Sequence, residues 1–514
     1  MKFESGHHKM ASSTLRIWMS GLLIVGVFLG SSMIPVAGYA QSTCESDHSV
    51  IGKRTLDTAT NTVVVGMDDE CQMIDDVDEA VDIQLSRSES IRSPGTTSLI
   101  SRDPDNQQFS VGALNPAVSA TGRYVTFNTF IPGTPEGQVY VRDQSTNRTE
   151  LISVNADGQP GNGISDLART TPDGRYVVFS SLADNLVPDD TNGAGDIFLY
   201  DRQRNSVERV NVASDGTESN GFSTLYPSVS TDGRYVVFNT DADNLAPNDF
   251  NLSEDVFLRD RVRGTTERIS TAQDGSAAGG VAVSMSPDGR YIAYISSSDD
   301  LVANDTNNAR DAFVYDRRTQ RTELVSIASD GTQAEVPPRV SPLTLVFDAE
   351  ISPDGRYVVF SSKADNLVAN DTNGQTDVFV HDRTRRTTER VSLASDGSEG
   401  NAASAYAALS FGGRYVVFHS SADNLVANDT NGQTDVFVHD RTQRTTKRVS
   451  VAADGTGGNR ASGLITQRED TFFFIISEPG MDWLGSTTAF ESSASNLVSD
   501  DTNEQADIFV ARLR

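Results

Sequence analysis

The stretch that decides the fold covers residues 352–401 and reads SPDGRYVVFSSKADNLVANDTNGQTDVFVHDRTRRTTERVSLASDGSEGN. A second copy starts at Gly412 and reads GGRYVVFHSSADNLVANDTNGQTDVFVHDRTQRTTKRVSVAADGTGGN. Self-similarity at a near-constant spacing is typical of solenoids, propellers and domain arrays. Aligned on the glycine of GRYVVF, the copies are centred on Gly122, Gly174, Gly233, Gly289, Gly355, Gly413 and, in a degenerate form, Gly485.

Each copy contains short runs in which apolar, β-branched and aromatic residues alternate with polar ones, such as residues 357–360 and 378–380. Clusters of Gly, Asp, Asn and Thr bound these runs, which predicts strands. An Asp-Gly pair between the first two strands predicts a two-residue hairpin in copies 2 to 5. Four antiparallel strands per repeat make one propeller blade. In the third copy we predict strand A around residues 229–230, B at 235–239, C at 255–259 and D at 266–270.

The two ends of the repeat region complement each other. The last copy stops after its strand C at residues 507–510, while a strand D without a blade stands upstream at residues 96–101. If this strand completes the last blade, the ring closes and no sheet edge is left open. We therefore predict an all-β fold, a seven-bladed β-propeller over residues 96–514 that is closed by an N-terminal strand. A short arm precedes the propeller, and the protein is expected to be a monomer.

The composition excludes one class of partner. The 514 residues include 71 Asp and Glu against 42 Lys and Arg, a formal net charge of −29. A nucleic-acid binder needs clustered basic residues to displace counterions, so no nucleic-acid partner is expected. With 22% charged and 37% hydrophobic residues the chain has enough apolar material to fold.

The N terminus has the pattern of a secretory signal peptide. Lys2, Lys9 and Arg16 precede an apolar stretch at residues 17–29, and small residues follow up to Ala40. We predict a signal peptide at residues 1–40, cleaved after Ala40, and an exported protein, periplasmic or extracellular. The alternative is an uncleaved anchor, although a span needs about 18 or more apolar residues. No transmembrane segment is expected in the mature chain.

Residues 41–95 form an acidic arm that contains both cysteines of the chain. In an oxidising compartment Cys44 and Cys71 are expected to form a disulfide that staples this arm. A metal or redox site is the alternative, and it would need further ligands.

The combination of S-P-D-G-R-Y-hydrophobic-F with D-hydrophobic-F-V-x-D-R resembles the repeats of TolB-like, WD-repeat-like bacterial propellers. The resemblance covers residues 96–514. It implies a propeller fold and an exported compartment. No counterpart of the small N-terminal domain of TolB is visible in residues 41–95, so the resemblance does not extend to the translocation role.

Six of the seven connections between strands B and C carry the pattern D-x-N-x-x-x-D. Carboxylate and amide oxygens at positions 1, 3 and 7 suit a hard cation, so we predict Ca²⁺ as a cofactor at about 10⁻⁴ to 10⁻³ M, unless Asp365 and its equivalents add ligands. The alternative is that each side chain only forms an Asx-turn without an ion. The candidate metal ligands are Asp190, Asn192, Asp196, Asp249, Asn251, Asp255, Asp305, Asn307, Asp311, Asp371, Asn373, Asp377, Asp429, Asn431, Asp435, Asp501, Asn503 and Asp507.

Two further repeated pairs have structural interpretations. Asp-Gly pairs in the D–A connections are predicted to form turns. Asp-Arg pairs at the end of strand C are predicted to make hydrogen bonds between blades. The first group is Asp157, Asp215, Asp274, Asp330, Asp396 and Asp454, and the second begins at Asp201, Asp260, Asp316, Asp382 and Asp440.

Catalytic motifs are lacking in the sequence. His381 and His439 occupy a repeat position that holds Tyr or Arg in other copies, which indicates a strand surface and not a ligand. The sequence has no G-x-S-x-G, H-E-x-x-H or Walker pattern. A polysaccharide lyase or hydrolase would instead need carboxylates, or His with Arg, in the central channel.

Insertions interrupt two copies, at residues 334–349 and 461–482. Insertions in repeat proteins often mark the binding side. Residues 472–476 of the second insertion also have the composition of a strand A for blade 7.

The sequence thus favours an exported, non-enzymatic propeller that binds or scaffolds a protein or glycan. The alternatives are a propeller-based polysaccharide lyase or hydrolase and a TolB-like component of an envelope complex.

Overall fold

The computed structural model describes residues 94–130, 137–223, 226–338, 340–463 and 478–513, together with four short strands nearer the N terminus. The chain divides into two units, residues 1–88 and 89–514. In the first unit, Ile24–Leu29 pairs with Ser32–Ala37, and Leu56–Asp57 pairs with Thr62–Val63. The predicted cleavage site and the predicted Cys44–Cys71 disulfide lie outside the described residues. No helix in the described part of the chain could cross a membrane.

The second unit contains seven sheets of four antiparallel strands, which confirms the predicted seven-bladed propeller. The A strands are Ala113–Val118, Ser165–Thr170, Ser228–Val229, Val281–Met285, Val346–Ile351, Ser404–Leu409 and Gly480–Met481. The B strands are Tyr124–Phe130, Tyr176–Ser181, Tyr235–Thr240, Tyr291–Ser296, Tyr357–Ser362, Tyr415–Ser420 and Thr487–Ser492.

The outer half of each blade is formed by strands C and D. The C strands are Gly137–Asp143, Asp196–Asp201, Asp255–Asp260, Asp311–Asp316, Asp377–Asp382, Asp435–Asp440 and Asp507–Leu513. The D strands are Arg148–Leu151, Ser206–Arg209, Thr265–Arg268, Arg321–Leu324, Thr387–Arg390, Thr445–Arg448 and, for blade 7, Pro94–Leu99. Two 3₁₀ helices, Pro342–Thr344 and Phe411–Gly413, lie in connections.

Blade 7 is assembled from both ends of the propeller. Strand Asp507–Leu513 pairs antiparallel with Pro94–Leu99, which places Phe509 opposite Leu99 and Val510 opposite Ser98. The predicted ring closure is therefore confirmed, because the N-terminal strand supplies the outermost strand of the last blade.

The hydrophobic core lies between neighbouring blades. Strands B and C are buried along almost their whole length because the adjacent blades cover both of their faces. Within a blade, one Phe of strand B stacks on one Phe of strand C, as Phe360 does on Phe379 at 5.8 Å between ring centroids. Val314 of blade 4 joins Phe360 of blade 5 in one buried cluster. Burial of each such ring stabilises the fold by about 1.5–3 kcal/mol.

The A–B connections differ from the prediction of a two-residue hairpin. In blade 3 the amide of Ser230 donates to the carbonyl of Tyr235, and the amide of Gly233 donates back to the carbonyl of Ser230. Gly233 has φ 70°, whereas Asp232 is not in the positive-φ region. The connection is therefore a four-residue turn in which only the glycine takes the left-handed conformation.

The same glycine forms a contact between blades. A Cβ on Gly233 would lie 2.4 Å from the ring of Tyr176 in blade 2, so only glycine fits. Arg261 of blade 3 lies over that ring at 5.3 Å and donates a hydrogen bond from Nε to Glu208 of blade 2. The predicted inter-blade role of the Asp-Arg pair is thus confirmed for its arginine.

The aspartate of the pair acts within its own blade. Asp260 accepts two hydrogen bonds from Arg234, at 2.9 and 2.7 Å, and so ties the end of strand C to the start of strand B. The repeated D-G-R-Y and D-R segments therefore have structural roles at the turn end of the blades that carry them.

Both insertions contribute to connections that lead into a strand A. The described part of residues 334–349 includes the helix Pro342–Thr344 and the beginning of strand Val346–Ile351. In blade 7 the strand A is Gly480–Met481, and residues 472–476 lie outside the described part.

Candidate functional site

The asparagine of D-x-N-x-x-x-D organises each B–C loop from within. In blade 5, Asn373 Oδ1 accepts the amide of Gln375 at 2.8 Å. Its Nδ2 donates to Asp377 at 2.8 Å and to the carbonyl of Gly400 in the D–A connection at 3.1 Å. The loop is thus an Asx-turn that also fastens the two connections on this face to each other. Asn192, Asn251, Asn307 and Asn431 donate to their aspartates in the same way.

An arginine at the end of strand D lies between or beside the carboxylates of four of the six loops. In blade 5, Arg390 Nη1 lies 2.9 Å from Asp371 and 3.2 Å from Asp377, and Nη2 lies 2.6 Å from Glu399. Burial and the charge of Asp377 raise the pKa of Asp371 to about 6, against the opposing charge of Arg390. The guanidinium therefore places a positive charge between two of the carboxylates that the loop pattern predicts as Ca²⁺ ligands.

The equivalent arginines contact both loop aspartates in blades 2 and 6 and only the first aspartate, Asp249, in blade 3. Arg209 lies 3.2 Å from Asp190 and 3.5 Å from Asp196. Arg268 lies 3.5 Å from Asp249, and Arg448 lies 2.9 Å from Asp429. In blade 2 the carboxylates of Asp190, Asp196 and Glu218 lie within 4.8 Å of one another, with Arg209 among them. Sequence reasoning missed these arginines, although each one stands in the repeated TTERVS-like segment.

Blades 4 and 7 carry the loop pattern but have leucine in place of this arginine. Leu324 pairs with Phe313 in blade 4, and Leu99 pairs with Phe509 in blade 7. In blade 5 the equivalent phenylalanine, Phe379, pairs with Arg390, so both leucines occupy the arginine position. In blade 7 the Gln108 amide donates to both Asp501 and Asp507, at 2.8 and 2.9 Å.

The D–A connections add exposed carboxylates to the same face. Asp215 Oδ1 accepts the amide of Thr217 at 2.9 Å, and hydrogen bonds from Thr217 lower the pKa of Asp215. The predicted turn-forming role is confirmed in blades 2 to 6. Further exposed carboxylates on this loop face belong to Asp157, Asp184, Asp243, Asp274, Asp300, Asp330, Asp365, Asp396, Asp423 and Asp454.

A second polar site lies among the inner strands, which contact one another around the axis. Arg169 of blade 2 pairs with Glu478 of blade 7 at 2.8 Å, and its guanidinium lies 5.5 Å from the ring of Tyr226. These three residues line one pocket. The Arg169 side chain is 26% exposed, so the pair is accessible from within the ring.

Two carboxylates of blade 5, Asp348 and Glu350, interact with the charges of this site. We call Arg169, Tyr226, Asp348, Glu350 and Glu478 the channel cluster. Asp348 is 6% exposed, and its Oδ1 accepts the amide of Ser361 at 2.6 Å. Its Oδ2 has no hydrogen-bond partner among the described residues. Burial raises the pKa of Asp348 to about 7, and the charge of Glu478 adds to the shift. Burial also raises the pKa of Glu350 to about 7, although the charge of Arg169 opposes this.

β-Bulges place these side chains. The A strands of blades 1, 2, 4, 5 and 6 each contain one more residue than the B strand segment they pair with. Asn115, Leu167 and Tyr406 take positive φ values at these irregularities. Bulges redirect side chains and cluster near functional sites.

Sequence reasoning did not find the channel cluster. Its members come from blades 2, 3, 5 and 7, and no local motif links them. The available signal was the presence of Asp166, Arg169, Asp348 and Glu350 inside segments that form inner strands.

The three histidines that the structure describes, His381, His419 and His439, belong to the core. His381 and His439 are buried, and their Nδ1 atoms form hydrogen bonds with Thr388 and Thr446 at 2.9 and 2.8 Å. His419 is fully buried, and burial lowers its pKa to about 3. The buried positions of all three residues indicate packing roles. His381 and His439 lie between blades and not on an exposed strand surface.

The geometry defines a seven-bladed β-propeller with an acidic loop face and a polar channel. Solved structures similar to this chain include TolB from Acinetobacter baumannii, 14% identical with a TM-score of 0.36, which aligns over 65% of this chain and only 62% of TolB. An oligogalacturonate lyase from Vibrio parahaemolyticus is 11% identical with a TM-score of 0.47, over 81% of this chain and 93% of the lyase. The propeller domain of the Trilobed protease from Pyrococcus furiosus is 10% identical with a TM-score of 0.45, over 78% and 95% of the two chains. The sequence matches no protein-family model and no curated protein.

Proposed function

We propose that the protein is an exported, non-catalytic binding module that recognises a protein or glycan through its loop face. The observation that supports this most is the internal bracing of the loops. In blade 5, Asn373 and Arg390 join the B–C loop to the D–A connection before any ligand arrives. Preorganisation of this kind lowers the entropy cost of binding.

The exposed carboxylates give this face its chemical character. Asp215, Asp274, Asp330 and Asp396 project from four successive blades. Such a ring favours ligands with cationic or hydroxyl groups, because each carboxylate accepts several hydrogen bonds.

The test compares two variants against a panel of immobilised glycans and envelope proteins. One variant combines Asp215→Asn, Asp274→Asn, Asp330→Asn and Asp396→Asn on the loop face. The control changes Arg204, Arg263 and Arg385 to Gln in the C–D turns, where these side chains are 73%, 72% and 72% exposed. We expect at least a tenfold loss of binding for the first variant only. Equal binding by both variants would contradict the proposal. N-terminal sequencing tests the proposed export separately, and the exported protein is expected to begin at Gln41.

The channel cluster favours a second candidate, a polysaccharide lyase or hydrolase. Asp348 and Glu350 have pKa values near 7, which suits proton transfer at neutral pH, and Arg169 lies within reach of an anionic group. Release of oligosaccharides from acidic polysaccharides by the unaltered protein, with loss in Asp348→Asn and not in Asp396→Asn, would support this function. No release from any polysaccharide of the panel would count against it.

A further inference from the structure

The B–C loop of blade 3 departs from its sister loops at two positions. Position 2 of the D-x-N-x-x-x-D pattern is threonine in the other five loops and Phe250 in this one. Position 4 is glycine, asparagine or glutamate elsewhere and Leu252 here. Asn251 still donates to Asp255 at 2.8 Å, and its Oδ1 still accepts the amide of Ser253 at 3.0 Å. Blade 3 therefore keeps the framework of the loop and replaces two side chains on it.

Both replacements leave large apolar side chains in water. Phe250 is 81% exposed and Leu252 is 92% exposed, the highest values among the exposed large hydrophobic residues of the described chain. Phe222 is 52% exposed at the root of the same loop, where its carbonyl accepts the amide of Asp241. Exposed apolar groups that share one loop, unlike scattered single ones, indicate an interaction surface. We call Phe222, Phe250 and Leu252 the blade 3 patch.

The backbone conformation of Leu252 is costly as well. Its φ is 55°, which is the left-handed region where three sister loops have Gly193, Gly374 and Gly432. A bulky side chain is rarely found there because its Cβ crowds the backbone. Local strain of this kind clusters at functional sites. Folding alone would favour glycine at this position, so the leucine indicates a use outside the fold.

Phe250 also replaces a hydrogen bond between the two connections of the loop face. In blade 5 the threonine at this position, Thr372, donates from Oγ1 to Glu399 of the D–A connection at 2.7 Å. In blade 3 the place of this glutamate is taken by Ala277, which forms the equivalent bridge in its own connection. Both connections of blade 3 therefore exchange a polar contact for apolar surface.

Exposed carboxylates accompany the patch. Asp241 and Asp243 are exposed at the start of the same loop, and Asp215 and Asp274 are exposed in the D–A connections before and after it. Of the arginines of blade 3, Arg268 stands at the loop end, and its side chain is only 5% exposed. This blade therefore offers a partner apolar groups and negative charge, and little positive charge.

We propose that the blade 3 patch anchors a partner protein whose contact surface combines apolar side chains with lysine or arginine. This inference rests on the proposed binding function of the loop face and specifies its protein alternative. Phe250 and Leu252 leave water when they pack against the partner, and the cations of the partner meet the neighbouring carboxylates.

The same features disfavour other occupants of the patch. A second copy of the chain would bring the same carboxylates together, and like charges repel. The negative surface of an anionic membrane would be repelled for the same reason. A glycan offers hydroxyl groups, whereas a leucine side chain can neither donate nor accept a hydrogen bond. A basic and apolar protein surface matches both the charge and the side chains.

The experiment selects peptides from a displayed random library on the immobilised full-length chain and then measures the affinity of the selected peptides in solution. The test variant combines Phe250→Thr with Leu252→Gly, which restores the residues of the blade 5 loop and is expected to fold with an equal or higher Tm. Val262→Thr is the control, because this side chain is 74% exposed in a C–D turn at the opposite end of the blade.

We expect selected sequences that combine leucine, phenylalanine or tryptophan with lysine or arginine. Their affinity should fall at least tenfold in the test variant and stay unchanged in the control. Binding should also weaken as NaCl is added, because salt screens the attraction between exposed charges. Selected peptides without basic or apolar residues, or equal affinity for the test variant and the unaltered chain, would overturn the inference.

The asparagine variant of the loop face separates this inference from the proposed function. Peptides that ignore the test variant but lose affinity for the asparagine variant would leave the proposed function standing without these anchors. Peptides that bind both variants unchanged would show that the loop face is not the binding face, and the proposed function would fail too. Binding to phosphatidylglycerol vesicles or to the glycan panel, or a dimer at high protein concentration, would also overturn the inference if the test variant abolished it. The asparagine variant carries Asp215→Asn, Asp274→Asn, Asp330→Asn and Asp396→Asn.

Discussion

The ring of Tyr176 in blade 2 lies against Gly233 of blade 3 so closely that a Cβ on Gly233 would come 2.4 Å from two ring carbons. The same contact recurs between the tyrosine of one blade and the glycine of the next at Tyr124 and Gly174, and at Tyr291 and Gly355. The G-R-Y motif is therefore conserved from copy to copy by packing between blades as well as by turn geometry.

Gly233→Ala is expected to destabilise the protein by about 2–5 kcal/mol, because it combines left-handed strain of about 1–2 kcal/mol with overpacking of about 1–3 kcal/mol. The control is Gly193→Ala, which has φ 63° but no atom within 4 Å of its Cβ and should cost only the strain. Urea denaturation measures both. An equal loss in the two variants would show that the tyrosine contact contributes nothing.

Leu99→Ala is expected to cost about 2–5 kcal/mol, because Leu99 is 6% exposed and packs in the cluster that joins blades 6 and 7. Leu182→Ala serves as the control, since that side chain is 49% exposed and should change stability by no more than about 0.5 kcal/mol. Thermal and urea denaturation measure the change in stability of both variants. A neutral effect of Leu99→Ala would mean that the closing strand contributes little to the stability of the ring.

Arg356→Ala is expected to destabilise the protein by about 1–3 kcal/mol at pH 7, with a loss that shrinks below about pH 4. Burial raises the pKa of Asp382, but hydrogen bonds from Arg356 and from the backbone outweigh it and hold this pKa below its usual range. Stability from a lowered pKa is present above the unfolded value and is lost as the pH falls. Arg385→Ala is the control, because Arg385 is 72% exposed and lies 4.0 Å from the same carboxylate. Denaturation midpoints from pH 2 to 7 test this, and a constant loss would contradict it.

Asp348→Asn is expected to flatten the dependence of stability on pH between about 4 and 7. With a pKa near 7 in the fold and about 3.9 when unfolded, Asp348 binds more protons in the folded state over this range. Stability therefore falls as the pH rises, by up to about 1.4 kcal/mol per pH unit for this group. Asp396→Asn, at an exposed position, should leave the slope unchanged. If stability depended on pH equally steeply in Asp348→Asn and in the unaltered chain, Asp348 would not be the group that takes up the proton.

Sequence patterns predicted the ring because its determinants are local and repeated. The alternation in residues 357–360 and the unpaired strand at residues 96–101 were sufficient to predict seven blades and their closure, confirmed by the pairing of Leu99 with Phe509. The A–B turn was predicted incorrectly because Asp-Gly occurs both in two-residue hairpins and in longer turns with a left-handed glycine.

The candidate sites were less predictable for a physical reason. The spacing of Asp371, Asn373 and Asp377 showed which groups share a loop, but not that Arg390 of a following strand would lie between them. Contacts such as that of Arg169 with Glu478 join residues 309 positions apart, and only the closed ring brings them together.

Closure through Pro94–Leu99 has a kinetic consequence. The strand that completes blade 7 is synthesised before all the other propeller strands and must wait for Asp507–Leu513, the last of them. Bringing distant segments together costs loop-closure entropy before the new contacts stabilise the chain. Closure of the ring is therefore expected to be a late and slow step of folding. Conversely, each end of the propeller is held by the other, so fraying of either end requires the separation of these two strands.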